Sequence, residues 1–333
     1  MSGRFRMIPM TCPTFDKWLT GVGPGDRVAA VARRAVCDRL AAVAHFLPRA
    51  ARPSRRDPED VHQLRVGARR AGAALALFAD WLPRRRAARM AKWLRRIRRA
   101  ANAARDADVL IARLAARPAD PATRLWLRLV RAGRRQAQAA VVDAHERYTA
   151  TGRLARHADR LVDCVRPPKR SMRKLAFGVW APGRLHDFAA AFAAALPPAG
   201  ADADALHRFR IRGKELRYAL ELLAAGLPAG IVDRVYPEIE RLQERLGRLN
   251  DRAAAVRNLE QALADARTDA DRELLATCLT RERRQFLRTT RDAGRDMASG
   301  RLAQLVAVLD GPEMCEGGGE KKEPRGFCRG VRE

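Results

Sequence analysis

Apolar residues recur every three or four positions along most of the 333-residue chain, and strict alternation is rare. That spacing predicts helices with one buried face. Two stretches carry it clearly. Leu64, Ala68, Ala71, Leu75 and Phe78 step by four, three, four and three, as do Phe209, Gly213, Leu216, Leu220 and Leu223. Ala, Leu and Arg, all strong helix formers, fill much of the rest. Pro48, Pro83, Pro118, Pro182, Pro228 and Pro237 are among the breakers that divide the pattern into segments of about 15 to 30 residues, normal for packed helices. Pro58, followed by Glu59 and Asp60, reads as a helix start, since proline suits the first turn and acids suit the N-terminal dipole. The expectation is an all-α fold.

The first twenty residues read as a poorly ordered leader. The helical body spans 21–310, and a basic, Pro-rich stretch at 166–182 (RPPKRSMRKLAFGVWAP) is the expected connector between its halves. From Gly311 onward a run of Gly, Lys, Glu and Pro predicts a disordered tail.

The halves are related by a repeat. VHQLRVGARRAGAALALF begins at Val61 and LHRFRIRGKELRYALELL at Leu206, an offset of 145. At that offset His62 matches His207, Arg65 matches Arg210, Arg69 matches Lys214, and Ala104-Arg105-Asp106 matches Leu249-Asn250-Asp251. Two matches sharing one offset across about 45 residues are hard to obtain by chance, even in a chain biased toward Ala and Arg. The repeats run over about 25–165 and 182–308.

Each repeated helix carries a charged face beside its apolar one. His62, Arg65 and Arg69 form the first; His207, Arg210, Lys214 and Arg217 form the second. Successive cations lie about 4.5 to 6 Å apart along the axis. Like-charge repulsion penalises such ladders unless an anion runs along them. The next helix of each half adds Arg95, Arg96, Arg98 and Arg99, and then Arg241, Arg245, Arg248 and Arg252. Asp106 and Asp251 either cap a following helix or orient a neighbouring Arg. His45, His145, His157 and His186 have no repeated partner and read as structural. The arginines from 124 to 135 read as a solvated face.

Lys and Arg number 66 against 38 acids, a net charge of +28, and all but seven of the cations are Arg. The tail is neutral, so this charge belongs to the helical body. Codon composition can favour Arg over Lys without requiring an imbalance of this size. A polyanionic partner is the natural inference. Aromatics make up only 5%, which disfavours a surface built on base stacking. The six cysteines have neither CxxC spacing nor histidines at zinc-ligand spacing. No apolar run approaches a membrane span, and the reading is of a cytoplasmic protein without metal or cofactor.

These residues resemble the CHAD family, the conserved-histidine α-helical domain. The resemblance rests on His62-Gln63-Leu64-Arg65-Val66 and His207-Arg208-Phe209-Arg210-Ile211. It rests equally on Ala101-Asn102-Ala103-Ala104-Arg105-Asp106 and Leu246-Gly247-Arg248-Leu249-Asn250-Asp251. It covers roughly residues 25 to 305. It implies two four-helix bundles related by pseudo-twofold symmetry, with a basic central channel or groove. It also implies binding of inorganic polyphosphate without catalysis, with localisation to polyphosphate granules and a separately encoded polyphosphate-metabolising enzyme as partner. The residues so implicated are His62, Arg65, Arg69, Arg95, Arg98, Arg99, Arg105, His207, Arg210, Lys214, Arg217, Arg241, Arg245 and Arg248. The chain departs from the family pattern at Gly72, where a base is usual, at Glu215 beside Lys214, and at Asn102. Arg95, Arg98 and Arg99 are expected to make up the charge in the first half.

The alternative is a nucleic-acid-binding helical protein, which net charge alone does not exclude. An enzyme is not expected: the sequence has no P-loop, metal-ligand cluster or GxSxG nucleophile.

Overall fold

The computed structural model describes residues 15–52, 57–118, 120–198, 203–297 and 301–310. Ten α-helices account for most of them. The first half supplies α1 (Val28–Ala50), α2 (Pro58–Leu77), α3 (Arg84–Ala115), α4 (Pro121–His145) and α5 (Arg153–Val162). The second supplies α6 (Phe177–Ala193), α7 (Ala203–Leu223), α8 (Ile231–Ala264), α9 (Asp269–Met297) and α10 (Arg301–Asp310). Each half thus has four longer helices and a short fifth. The elements keep the offset of the sequence repeat: α2 and α7 begin 145 residues apart, and so do the 3-10 turns at Ala79–Trp81 and Ala224–Gly226. The expected tail at 311–333 lies outside the described residues.

Local chemistry explains the ends. Asp57 caps α2 by accepting from the Glu59 backbone N–H at 2.8 Å, with Pro58 in the first turn, as the sequence predicts. Asp120 caps α4 through the Thr123 N–H at 2.8 Å, and that bond holds its carboxyl below the usual range. Gly230 opens α8 with φ +81, a conformation that side chains rarely adopt.

Both apolar stripes are buried along their whole length. Equivalent helices of the two halves touch: α1 meets α6, α2 meets α7, α3 meets α8 and α4 meets α9. One core therefore runs through both halves, from Val31 and Leu64 to Phe209, Leu220 and Ile239. α1 and α2 pack against each other at Gly67, where a Cβ would make an ordinary contact 3.6 Å from that of Ala42. A second core fills the far ends of α3, α4, α8 and α9 around Trp126, whose indole N–H donates to Asn258 at 2.9 Å.

Four expectations need correction. Pro48, Pro182 and Pro237 lie inside α1, α6 and α8 and do not break them. Burial of Phe177 and Ala181 on α6, and of Val235 and Ile239 on α8, outweighs the lost backbone bond. The connector consequently ends at 176, and α6 starts five residues before 182. Residues 15–20 are not a loose leader. Leu19 is buried and its N–H donates to the Glu221 carbonyl at 3.1 Å. Arg39 donates to the carbonyls of Asp16 and Lys17 at 2.6 Å each, and the Trp18 ring lies 4.7 Å from Tyr236. Lastly, Arg134 is not on a solvated face. It is buried, donating to Asp108 at 2.6 Å and to Gln138 at 2.9 Å, while Arg124, Arg128, Arg131 and Arg135 are exposed as expected.

Candidate functional site

The charged faces of α2 and α7 come together because the apolar faces beside them share one core. With cations from the middle of α3 they form a half-buried basic seam. His62, Arg65 and Arg69 line it from α2, Arg98 and Arg105 from α3, and Arg210, Lys214 and Arg217 from α7; all are half-buried.

Lys214 measures its electrostatics. Burial first, then Arg69, Arg210, Arg217 and Arg65, pull its ammonium down from 10.5 to about 6. The groups acting on it come from both halves, and none of the strongest is a carboxylate. Burial and Arg69 likewise lower Arg210 and Arg98, although guanidinium remains charged in both. His62 is lowered by burial and then by Arg105, with Glu59 opposing.

A few acids hold the rim. Arg65 donates to Asp106 at 2.9 Å, and Asp251 acts on Arg210 at the equivalent place. Both acids sit in the interior of a long helix, Asp106 on α3 and Asp251 on α8, so neither caps one; Asp106 orients Arg65, and Asp251 acts on Arg210 by its charge. At the far end of the seam the buried carboxylate of Glu221 takes Arg70 at 2.7 Å and the Tyr236 hydroxyl at 3.0 Å, with Arg217 at 3.8 Å. Burial is the largest single influence on Arg217, but Tyr218, Glu221 and Tyr236 together outweigh it and raise its pKa. Nε of Arg65, Arg210 and Arg217 is buried without a hydrogen-bond partner. Nε of Arg39, Arg113 and Arg184, outside the seam, is in the same state, so the feature does not single the seam out.

Other predicted residues stand apart. Arg95 and Arg99 are exposed on α3, with Arg99 acting on Arg98. His207 is exposed near the start of α7, unlike its half-buried counterpart His62. The stripe on α8 does not act as one. Arg241 is paired with Glu238 one turn away, Arg248 is exposed, Arg245 is half-buried, and Arg252 reaches the wholly buried Glu282 at 3.3 Å together with Arg113 and Arg117. None of these α8 cations is among the strongest influences on Lys214 or Arg210. In place of Arg98, α8 presents Gln243 to α7, where a Cβ on Gly213 would collide with its amide. Glu215, a departure from the pattern, is occupied by Arg212 at 2.8 Å.

The residue that sequence reasoning missed is Glu221. The signal was present: His207, Arg210, Lys214, Arg217 and Glu221 step by three, four, three and four, so the acid ends the cationic stripe. Two of the unrepeated histidines make structural contacts. The His145 ring meets the Thr149 hydroxyl at 2.5 Å, and His157 meets the Arg86 carbonyl at 3.0 Å. Among the described residues there is no cluster of His, Cys, Asp and Glu fit for a metal ion, and no helix is long and apolar enough to cross a membrane.

The model of the CHAD domain family matches residues 34–260. The crystal structure of the CHAD domain from the plant Ricinus communis superposes with a TM-score of 0.66 at 22% identity, over 88% of this chain and 95% of that one. PptA from Streptomyces chartreusis superposes with a TM-score of 0.52 at 19% identity, over 81% and 98%. At these identities the likeness is one of fold. No curated protein matches the chain.

Proposed function

The chain belongs to the CHAD domain family, and from that premise we propose that its basic seam binds inorganic polyphosphate. The observation that carries the reading is the convergence on Lys214 of Arg65, Arg69, Arg210 and Arg217 from two helices, with no carboxylate among its strongest neighbours. A linear anion with negative charge on every unit satisfies such a seam along its length. Arg presents planar forks to phosphate oxygens and is weakly hydrated, so it desolvates at lower cost than Lys. Nucleic acid is the competing ligand. The half-buried seam offers donors and charge, and the residues facing it include few rings for bases to stack on.

In this reading the protein is a binder and not a catalyst. It works in the cytoplasm, at polyphosphate granules or beside a separately encoded enzyme that makes or degrades the polymer. The test is competition between long-chain polyphosphate and single-stranded DNA or RNA of matched charge over a salt series. Preference for polyphosphate at every salt concentration is expected. Equal preference would sink the reading in favour of a general polyanion surface, and turnover of the polymer would contradict the non-catalytic role.

A further inference from the structure

We infer that the outer face of α3 is a second anion-binding track, onto which a long polyphosphate continues as it leaves the seam; this rests on the polyphosphate reading of the seam itself. Arg85, Arg89, Lys92, Arg96 and Arg99 step by four, three, four and three along α3, and all five are exposed. They form one stripe about 21 Å long at a rise of about 1.5 Å per residue. The sequence has no acid between Asp80 and Asp106. None of the five has a carboxylate or hydrogen-bond partner among the described residues. Arg98 joins the stripe to the seam, since it feels Arg69 and Arg65 on one side and Arg99 on the other.

An exposed cationic face is often merely solvated, and the second half of the molecule supplies the control. At the offset of 145, α8 takes the place of α3. Gly230 stands for Arg85, Pro237 for Lys92 and Glu244 for Arg99, while Arg234 keeps the charge of Arg89. Arg241, which stands for Arg96, is neutralised by Glu238. Neither the fold nor the composition of the chain therefore demands the α3 stripe, because both are shared by α8. The stripe also has a cost. Each like-charged pair three or four residues apart destabilises a helix by about 0.2–0.5 kcal/mol. The first turn of α3 holds arginines and no acid, against the helix dipole. A phosphate chain relieves both penalties. Trp93, the one aromatic residue of this stretch, is turned to Tyr148 at 5.4 Å and offers the track no stacking surface.

The experiment compares the full chain with the variant Arg85→Gln, Arg89→Gln, Lys92→Gln, Arg96→Gln. Tripolyphosphate, short enough for the seam alone, and long-chain polyphosphate are the two probes, each over a salt series. The variant is expected to bind tripolyphosphate within about twofold of the parent. It is expected to lose at least about tenfold for the long chain, with the slope of log affinity against log salt smaller by about 3. Unchanged long-chain affinity and slope, or equal losses for both probes, would overturn the track. A second variant, Arg65→Gln with Arg210→Gln, reports on the seam separately. If it keeps full tripolyphosphate affinity the seam reading fails, while the track is still judged by the long chain. Should the fourfold variant lose helix content, Arg89→Gln with Lys92→Gln gives the same comparison with about half the change in slope.

Discussion

Arg70 of α2 meets Glu221 of α7 at 2.7 Å, joining residues 151 positions apart across the two halves of the molecule. The carboxylate is 1% exposed and the guanidinium side chain 15%. Its second oxygen accepts from Tyr236, and its backbone carbonyl holds Leu19 of the N-terminal segment. One buried residue thus joins α2, α7, α8 and the segment around Leu19 at the far end of the seam.

Glu221→Ala should therefore be among the more damaging single substitutions. It leaves Arg70 without its partner in a buried setting, and breaking such a pair by removing one member costs about 3–5 kcal/mol. A lowered urea midpoint with an unchanged slope is the expected result. A loss below about 1 kcal/mol would show that water replaces the carboxylate without strain.

Lys214 links binding to pH. Its folded pKa of about 6 lies far below its ordinary 10.5, so between those values the unfolded chain binds more protons than the folded one. The contribution of Lys214 to stability then rises with pH across this window, and the penalty of charging it is fully present below about pH 6. Lys214→Met should stabilise the unliganded protein most at low pH, with an advantage that shrinks toward pH 10. A polyanion reverses the balance by favouring the ammonium. At pH 7.5 binding should take up about one proton, lost in the Met variant, as read by calorimetry in buffers of different ionisation enthalpy. Absence of proton uptake would mean that Lys214 is already charged.

The helical periods and the duplication were legible because both are properties of spacing, and the buried stripes from Leu64 to Phe78 and from Phe209 to Leu223 follow the sequence closely. What could not be read depended on partners distant in the chain. Arg134 looks like its exposed neighbours Arg131 and Arg135 until Asp108 is known to lie beside it. The α8 stripe looks as continuous as that of α7, yet Glu238 and Glu282 claim its two ends. Residues 15–20 have no period of their own, and their place is fixed by Arg39 reaching two carbonyls from α1. Six members of the seam, His62, Arg65, Arg69, Arg210, Lys214 and Arg217, were visible as stripes; that the stripes meet follows from the shared core.

The two motif histidines should differ. His62 is half-buried and held below the ordinary histidine value by burial and by Arg105, so it is mainly neutral at pH 7. Phosphate in the seam favours the imidazolium and raises that value. The affinity it contributes therefore appears as pH falls and fades as pH rises through the liganded pKa. In NMR titrations the His62 ring should titrate below pH 6.5 in the free protein and move upward on adding polyphosphate. His62→Gln should flatten the pH dependence of binding between about pH 5 and 7, whereas His207→Gln, at an exposed position, should change affinity less than about twofold.

Gly72 offers a gain. It follows His62, Arg65 and Arg69 by a further three residues on the seam face of α2, and its counterpart in α7 is Arg217. A Cβ there meets nothing within 4 Å. Gly72→Ala should raise stability by about 0.5–1 kcal/mol, the ordinary cost of glycine inside a helix. Gly72→Arg has the same helical advantage but adds a cation one turn from Arg69. The positions matching Tyr218 and Glu221, which support Arg217, are Ala73 and Ala76, so the new guanidinium would have no such neighbours. Like-charge repulsion should cancel about 0.2–0.5 kcal/mol of the gain, leaving Gly72→Arg less stable than Gly72→Ala. For the same reason its charge is available to phosphate. Affinity for polyphosphate should rise about three- to tenfold at moderate salt, with the salt slope steeper by about 0.7 to 0.9. An Ala variant that gains affinity equally would show that helix order, and not charge, limits binding at this end of the seam.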